Sequence, residues 1–243
     1  MTNIKVVLAF SGGLDTSYCA LYLAKIKHLE VHAVTVNTGG FDTQELNEIK
    51  SRALSLGVKS YTCIDETNNY YQKCIKYLIF GNVLKNNTYP LSVSAERIFQ
   101  ATAIAEYAKS IDAAYIAHGS TGAGNDQVRF DMIFNILIPE IKVMTPIRDL
   151  KLSREEEMNF LQENGITIDF EKAKYSINKG LWGTSVGGKE TLTSHANLPD
   201  EAFPTPLRKV EHERYTLTYK EGELVGVNTQ QFENPVHAIQ LLQ

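Results

Sequence analysis

An α/β architecture, a doubly wound parallel sheet followed by the start of a second α+β domain, is what the sequence predicts. Short β-rich runs alternate with amphipathic helical stretches over the first 165 residues. Glycine-bearing loops close the first and fourth of those runs. Beyond about residue 185 the alternation gives way to Gly187-Gly188, Pro199, Pro204 and Pro206. Alternating strands and helices bury both faces of a parallel sheet under helices, with right-handed crossovers. The boundary implied is 1–170 for the first domain and 171–243 for the partial second one.

The run IKVVLAF at 4–10 is the first expected strand, closed by Ser11-Gly12-Gly13. From about Asp15 to Lys27, Leu14, Tyr18, Leu21 and Tyr22 recur at helical spacing. Residues 30–36 read as a second strand, 42–56 as a helix stopped by Gly57, and 58–64 as a third strand. Residues 67–80 read as helix, Asn82, Asn86 and Asn87 as loop, and Ser94 to Ser110 as helix again. The fourth expected strand, 113–117, ends at His118-Gly119. Ser153-Arg154-Glu155-Glu156 is a capping box for a helix over 154–164 that stops at Gly165. Residues 214–228 read as a β-hairpin turning at Glu221-Gly222, and 235–242 as the start of a helix. A hairpin and one short helix bury too little to stand alone. They are expected to form a lid on the first domain or to open a second.

The chain has 243 residues, 43% of them hydrophobic and 21% charged, and a net charge of −4. That composition is ordinary for a soluble globular protein. The acidic balance argues against a nucleic-acid partner. No apolar run reaches the ~20 residues a membrane span needs, and the N-terminus has no signal-peptide pattern. The cytoplasm is the expected compartment. Cys19, Cys63 and Cys74 match no metal-binding spacing and are expected to be reduced, partly buried thiols. No residue is assigned to a metal.

Two segments carry chemistry. Ser11-Gly12-Gly13-Leu14-Asp15-Thr16-Ser17 lies between a strand and a helix. Two glycines admit a phosphate close to the backbone, and the amides of the loop and helix start converge on it. The loop lacks the Gly-Lys-Ser/Thr ending of a Walker loop and is not a G-x-G-x-x-G. The second segment runs from His118 to Phe130 and contains Gly119, Gly122 and Gly124. Its helix sets Asn125 and Arg129 four residues apart, with Asp126 three before Arg129. An amide, a carboxylate and a guanidinium suit a zwitterion, Asp126 facing an ammonium and Arg129 a carboxylate. His118 reads as a strand-end structural residue, not a base.

The first loop resembles the pyrophosphate loop of N-type ATP pyrophosphatases. Those enzymes cleave ATP between the α and β phosphates and adenylate a substrate oxygen. The run Gly119 to Phe130, with Ala9 to Ser17, is similar to the signatures of the argininosuccinate synthase family. Tyr175 to Ser185 resembles a third family block. The resemblance covers essentially the whole chain and implies an adenine nucleotide alpha hydrolase-like fold. It implies ligation of citrulline and aspartate to argininosuccinate, in arginine biosynthesis, with release of AMP and pyrophosphate. ATP and Mg²⁺ are the implied cofactors.

Carried over residue by residue, the resemblance gives Ala9, Phe10, Ser11, Gly12, Gly13, Asp15, Thr16, Ser17, Val36 and Gly119 to ATP. Asp15, Ser17 and Asp126 are the expected catalytic positions. Tyr89, Ser94, Arg97, Arg129, Ser176 and Ser185 fall at citrulline contacts, Thr121 and Asp126 at aspartate contacts, and Asn125 at both. Phe10 stands where tyrosine is common, Ala123 where lysine is common, and Asn178-Lys179-Gly180 where the family has an acidic pair and an asparagine. The family is homotetrameric. Its second domain runs past the point matching Gln243, supplying a glutamate and a tyrosine to the citrulline pocket and a helix for assembly. Two other readings stay open at this stage: a tRNA-modifying or amidating relative of the same fold, and a truncated form that binds ATP and aspartate without turnover.

Overall fold

A computed structural model gives the structure of the chain and describes residues 4–122, 124–166, 175–205 and 211–243. Ala123, Pro206 and the expected domain boundary at 170 lie outside the described residues. In chain order the elements begin with β1 (Lys5–Ala9), α1 (Leu14–Leu21, continued by a wider π turn, Tyr22–Ile26), β2 (Glu30–Asn37), α2 (Thr43–Ser55) and β3 (Ser60–Asp65). Next come α3 (Thr67–Tyr70), a π turn (Tyr71–Ile75), α4 (Lys76–Phe80), α5 (Ser92–Ser110), β4 (Tyr115–Ala117) and α6 (Asp126–Leu137). Then follow β5 (Lys142–Met144), α7 (Pro146–Leu150), α8 (Arg154–Glu163), β6 (Ser176–Gly180) and β7 (Gly183–Gly187). The last elements are β8 (Leu217–Lys220), β9 (Glu223–Val227), β10 (Gln230–Gln231) and α9 (Pro235–Leu242). The chain divides into two compact units, Met1–Glu66 with Ser94–Ala173, and Thr67–Val93 with Lys174–Gln243.

The first unit is the expected α/β layer. Its sheet runs β3-β2-β1-β4-β5, every neighbouring pair parallel. Strand alternation sorts β1 into two faces. Val6 and Leu8 bury against Leu14, Cys19, Ala53, Leu56 and Leu161, under α1, α2 and α8. Val7 and Ala9, with Val34 and Val36 of β2, bury against Ala101, Ile104, Phe130 and Phe134, under α5 and α6. The expected capping box is present, Ser153 with Glu156 starting α8, and Asp42 with Glu45 starts α2 in the same way. Gly57 and Gly165 follow their helices with φ of +80° and +78°, the left-handed stop that favours glycine. The order in which strands are added reverses between β1 and β4, from β1-β2-β3 on one side to β4-β5 on the other. That is the switch point, where ligands of open parallel sheets bind beyond the strands' carboxyl ends.

The second unit combines short helices with antiparallel strands. The expected hairpin forms as β8 and β9, with Glu221 and Gly222 at φ +53° and +84°, the two positive values a type I′ turn needs. β6 and β7 form a separate two-stranded ladder. Within this unit Phe80 lies over Gly222, Lys76 is 3.9 Å from Glu223, and Asn234 Nδ2 donates to Asn68 Oδ1 at 2.7 Å. These contacts tie α3 and α4 to the C-terminal strands and α9. No described helix is long and apolar enough to cross a membrane.

Candidate functional site

The Ser11–Ser17 loop leaves the sheet at the carboxyl end of β1, next to the switch point. Phe10 pins the strand end: its amide donates to the Val34 carbonyl at 2.8 Å, and its carbonyl accepts from Thr35 Oγ1 at 2.6 Å. Gly12 turns the chain at φ +76°, and a Cβ there would lie 3.0 Å from Ile49. The Arg52 guanidinium, reaching over from α2, donates to the Gly12 carbonyl. Gly13 occupies the N-cap position of α1 in extended conformation, with no side chain capping the helix. The first-turn amides therefore keep their capacity to bind an anion. Ser11 Oγ lies 3.3 Å from Thr16 Oγ1, and Thr16 Oγ1 donates to the Gly13 carbonyl at 3.3 Å. Ser11 and Gly13 are exposed, while Asp15 and Thr16 are half-buried. Ser17 differs from its neighbours: it is fully buried, and its Oγ has no hydrogen-bond partner among the described residues.

The second glycine loop lies against the first. A Cβ on Gly119 would sit 3.1 Å from the Asp15 carbonyl carbon and 3.2 Å from the Thr16 amide nitrogen. His118 anchors this loop. Its Nδ1 accepts from the Ser120 amide at 3.2 Å, so its Nε2 carries the proton and donates to Asp131 Oδ1 at 3.0 Å. With both nitrogens engaged and the ring 2% exposed, His118 is structural, as expected. Arg148 of α7 extends the anchor, donating to Asp131 Oδ2 at 2.7 Å and Gln127 Oε1 at 2.9 Å; Gln127 Nε2 in turn donates to the Gly122 carbonyl at 2.6 Å. The His118 hydrogen bond, assisted by Arg148, holds the Asp131 carboxyl below its ordinary range.

Asp126 is the centre of the polar cluster. Arg129 Nη1 donates to its Oδ1 at 2.6 Å across a three-residue spacing on α6. Arg97 Nε of α5 donates to its Oδ2 at 3.1 Å. Behind Arg97 stand residues the sequence did not single out. Gln100 Oε1 accepts from Arg97 Nη1 at 2.8 Å, and Gln100 Nε2 donates to Glu96 Oε1 at 2.9 Å. Glu96 is 3% exposed and also accepts from the buried Thr38 Oγ1 at 2.7 Å. Burial pushes the Glu96 carboxyl up, opposed by the Arg97 charge and the Thr38 hydrogen bond. Thr121 and Asn125 are exposed on the loop before α6, and Ser94 is half-buried in the first turn of α5.

Other expected positions are placed differently. Ala9 and Val36 are buried in the hydrophobic cluster under α5 and α6. Tyr89, Ser176 and Ser185 belong to the second unit. Tyr89 pairs with Lys85 through backbone bonds, Ser176 stands opposite Gly187, and Ser185 opposite Asn178. A shallow groove follows α2 past Gln44, Glu48, Ser51 and Arg52, of which Arg52 alone reaches the first loop. Glu157 of α8 is 1% exposed, and its Oε2 has no hydrogen-bond partner among the described residues. Burial, then the charge of Asp15, pushes its carboxyl up to about 8. Cys19 is fully buried, and burial pushes its thiol up, the reverse of what a reactive thiolate needs.

Residues 5–167 match the family model described as the arginosuccinate synthase N-terminal HUP domain. The chain is 37% identical over 232 residues to the argininosuccinate synthase of Sulfurisphaera tokodaii, covering 95% of this chain and 59% of that protein. It is 35% identical over 240 residues to that of Metallosphaera sedula, with coverages of 98% and 61%. It is 37% identical over 236 residues to that of Methanocaldococcus jannaschii, with coverages of 96% and 59%. It thus spans about three-fifths of the length of the relatives it matches. With the parallel sheet, the glycine loop at its switch point and this similarity along nearly its whole length, the chain belongs to the argininosuccinate synthase family.

Proposed function

We propose that the protein ligates citrulline and aspartate at the expense of ATP, releasing AMP and pyrophosphate. The observation that carries the reading is the juxtaposition of an uncapped, glycine-bounded helix start at Gly13 with the Gly119 loop that leads into the Asp126 cluster. Residues 1–170 would bind the nucleotide, and 171–243 would belong to the synthetase part. The fit to ATP rests on three features of the loop. Gly13, exposed beside Ser11, has no Cβ to block an approach, Gly12 at φ +76° lets the loop turn, and the helix start supplies amides and positive potential. Mg²⁺, when bound, would offset charge on the phosphates, and no side chain is assigned as its ligand.

In this reading the citrulline ureido oxygen attacks the α-phosphorus. A bond forms from that oxygen to phosphorus, and the α–β bridging bond breaks to release pyrophosphate. The aspartate amine then adds to the activated ureido carbon, AMP leaves with the former ureido oxygen, and the amine loses a proton. The chain's own contribution is positioning and charge stabilisation. The loop amides, with Ser11 and Thr16, hold the phosphates. Thr121, Asn125 and Asp126 would take aspartate. Arg97, Arg129 and Ser94, together with Tyr89, Ser176 and Ser185, would take citrulline.

The test is product analysis with each substrate omitted in turn. AMP and pyrophosphate that appear only when both amino acids are present support the reading. ADP and orthophosphate would overturn it.

A further inference from the structure

Glu96 is the most deeply buried carboxylate beside the amino-acid cluster, and the proposed reaction gives it no role. It is 3% exposed, and no substrate contact assigned above falls on it. Three groups address one of its oxygens: Thr38 Oγ1 at 2.7 Å, Gln100 Nε2 at 2.9 Å and Arg97 Nη1 at 3.6 Å. An ionised carboxylate is acceptor-only. Gln100 must therefore turn its NH₂ toward Glu96, which leaves its Oε1 to face Arg97. Arg97 Nη1 donates to that oxygen at 2.8 Å, and its Nε is thereby left aligned on Asp126 Oδ2 at 3.1 Å. Thr38 stands just beyond the carboxyl end of β2, so the same carboxylate ties that strand end to α5.

We infer that Glu96 is a positioning residue for the amino-acid substrate, orienting Gln100 and through it the Arg97 guanidinium toward Asp126. The inference rests on the reading that Arg97 and Asp126 contact the amino acids. Charge strengthens the arrangement. Arg97 and Arg129 face Asp126 and Glu96, two cations against two anions, so the cluster is balanced before a zwitterion enters. A neutral side chain at 96 would leave one cation in excess and the Gln100 amide free to flip.

The experiment compares the chain with Glu96→Met, Gln100→Met and the double variant. Methionine keeps the length of Glu96 and removes the oxygen that accepts from Gln100; Gln100→Met breaks the same link from the other side and leaves Thr38 its acceptor. The first readout needs no turnover: the Nε–H proton resonance of Arg97 and its exchange with water. In the unmodified chain it is expected to be resolved and slowly exchanging. In either single variant it is expected to exchange at least tenfold faster, with no further change in the double variant, because both act through one link. An unchanged exchange rate in Glu96→Met, or additive effects, would overturn the inference whatever the enzyme does. The second readout is kinetic. The KM of an amino-acid substrate is expected to rise about tenfold, the loss of one charge-assisted hydrogen bond, with the KM of ATP unchanged. An equal rise for ATP would mark Glu96 as merely structural and overturn the inference. If the unmodified protein makes no AMP, the reaction proposed above fails, and the resonance still decides the role of Glu96.

Discussion

Gly119 lies so close to Asp15 that a methyl group on its Cα would meet the Asp15 carbonyl carbon at 3.1 Å. The contact is backbone against backbone, so no flexible side chain can yield. It sets the spacing between the phosphate loop after β1 and the substrate loop after β4. Gly119→Ala is expected to push the two loops apart at a cost of about 1–3 kcal/mol, the usual penalty of overpacking. Titration calorimetry with ATP reads the outcome as an affinity loss of about tenfold or more. An unchanged affinity would mean that the loops need not touch.

Arg52 holds the phosphate loop from the other side by donating to the Gly12 carbonyl. Arg52→Met keeps the aliphatic stem and removes the donor. The expected result is a rise of roughly fivefold in the Kd for ATP, about 1 kcal/mol for one hydrogen bond, with little change in melting temperature. A large fall in melting temperature would place Arg52 in the stability of α2 instead.

The His118–Asp131–Arg148 chain predicts an acid-sensitive anchor. The folded-state value of Asp131 is depressed, chiefly by the His118 hydrogen bond. Its stabilising contribution is therefore present above the unfolded value of about 4 and is lost as pH falls through the depressed folded one. Urea unfolding at pH 7 and pH 3 is expected to show a smaller acid loss of stability in Asp131→Asn than in the parent. Equal losses would remove Asp131 from the anchor.

Glu157 predicts the opposite dependence. Its carboxyl is raised to about 8 by burial and by Asp15. The associated stability is present below the unfolded value of about 4.3 and is lost as pH rises through about 8. From pH 6 to pH 9 the melting temperature should fall further in the parent than in Glu157→Gln, which keeps the shape of the side chain and cannot ionise. Identical falls would show that Glu157 is not the titrating group.

The long-range frame of the first unit was legible because its signals are strong and local. β1 is a nearly continuous apolar run, β2 is rich in β-branched residues, and Gly57, Gly165 and the Ser153 capping box mark helix ends. β5 and α7 were missed. They span three and five residues, too short for a period to register. The β6–β7 ladder was missed as well, since Ser176 to Gly180 is mostly polar. At the site, the glycine loops and the Asp126–Arg129 pair follow from spacing along the chain. Glu96, Arg52, Arg148 and Glu157 do not. Each is one charged residue on a helix, which sequence alone assigns to solvent, and each gains its role from a partner at least 17 residues away or from burial. Ser17 shows the converse, a motif hydroxyl that the fold buries.

The central claim, that a ureido oxygen attacks the α-phosphorus, is tested most directly by following that oxygen. Citrulline labelled with ¹⁸O at the ureido position is supplied with ATP and aspartate, and the products are weighed by mass spectrometry. The account predicts one ¹⁸O in AMP and none in pyrophosphate. Label in pyrophosphate or orthophosphate, or AMP without label, would contradict it.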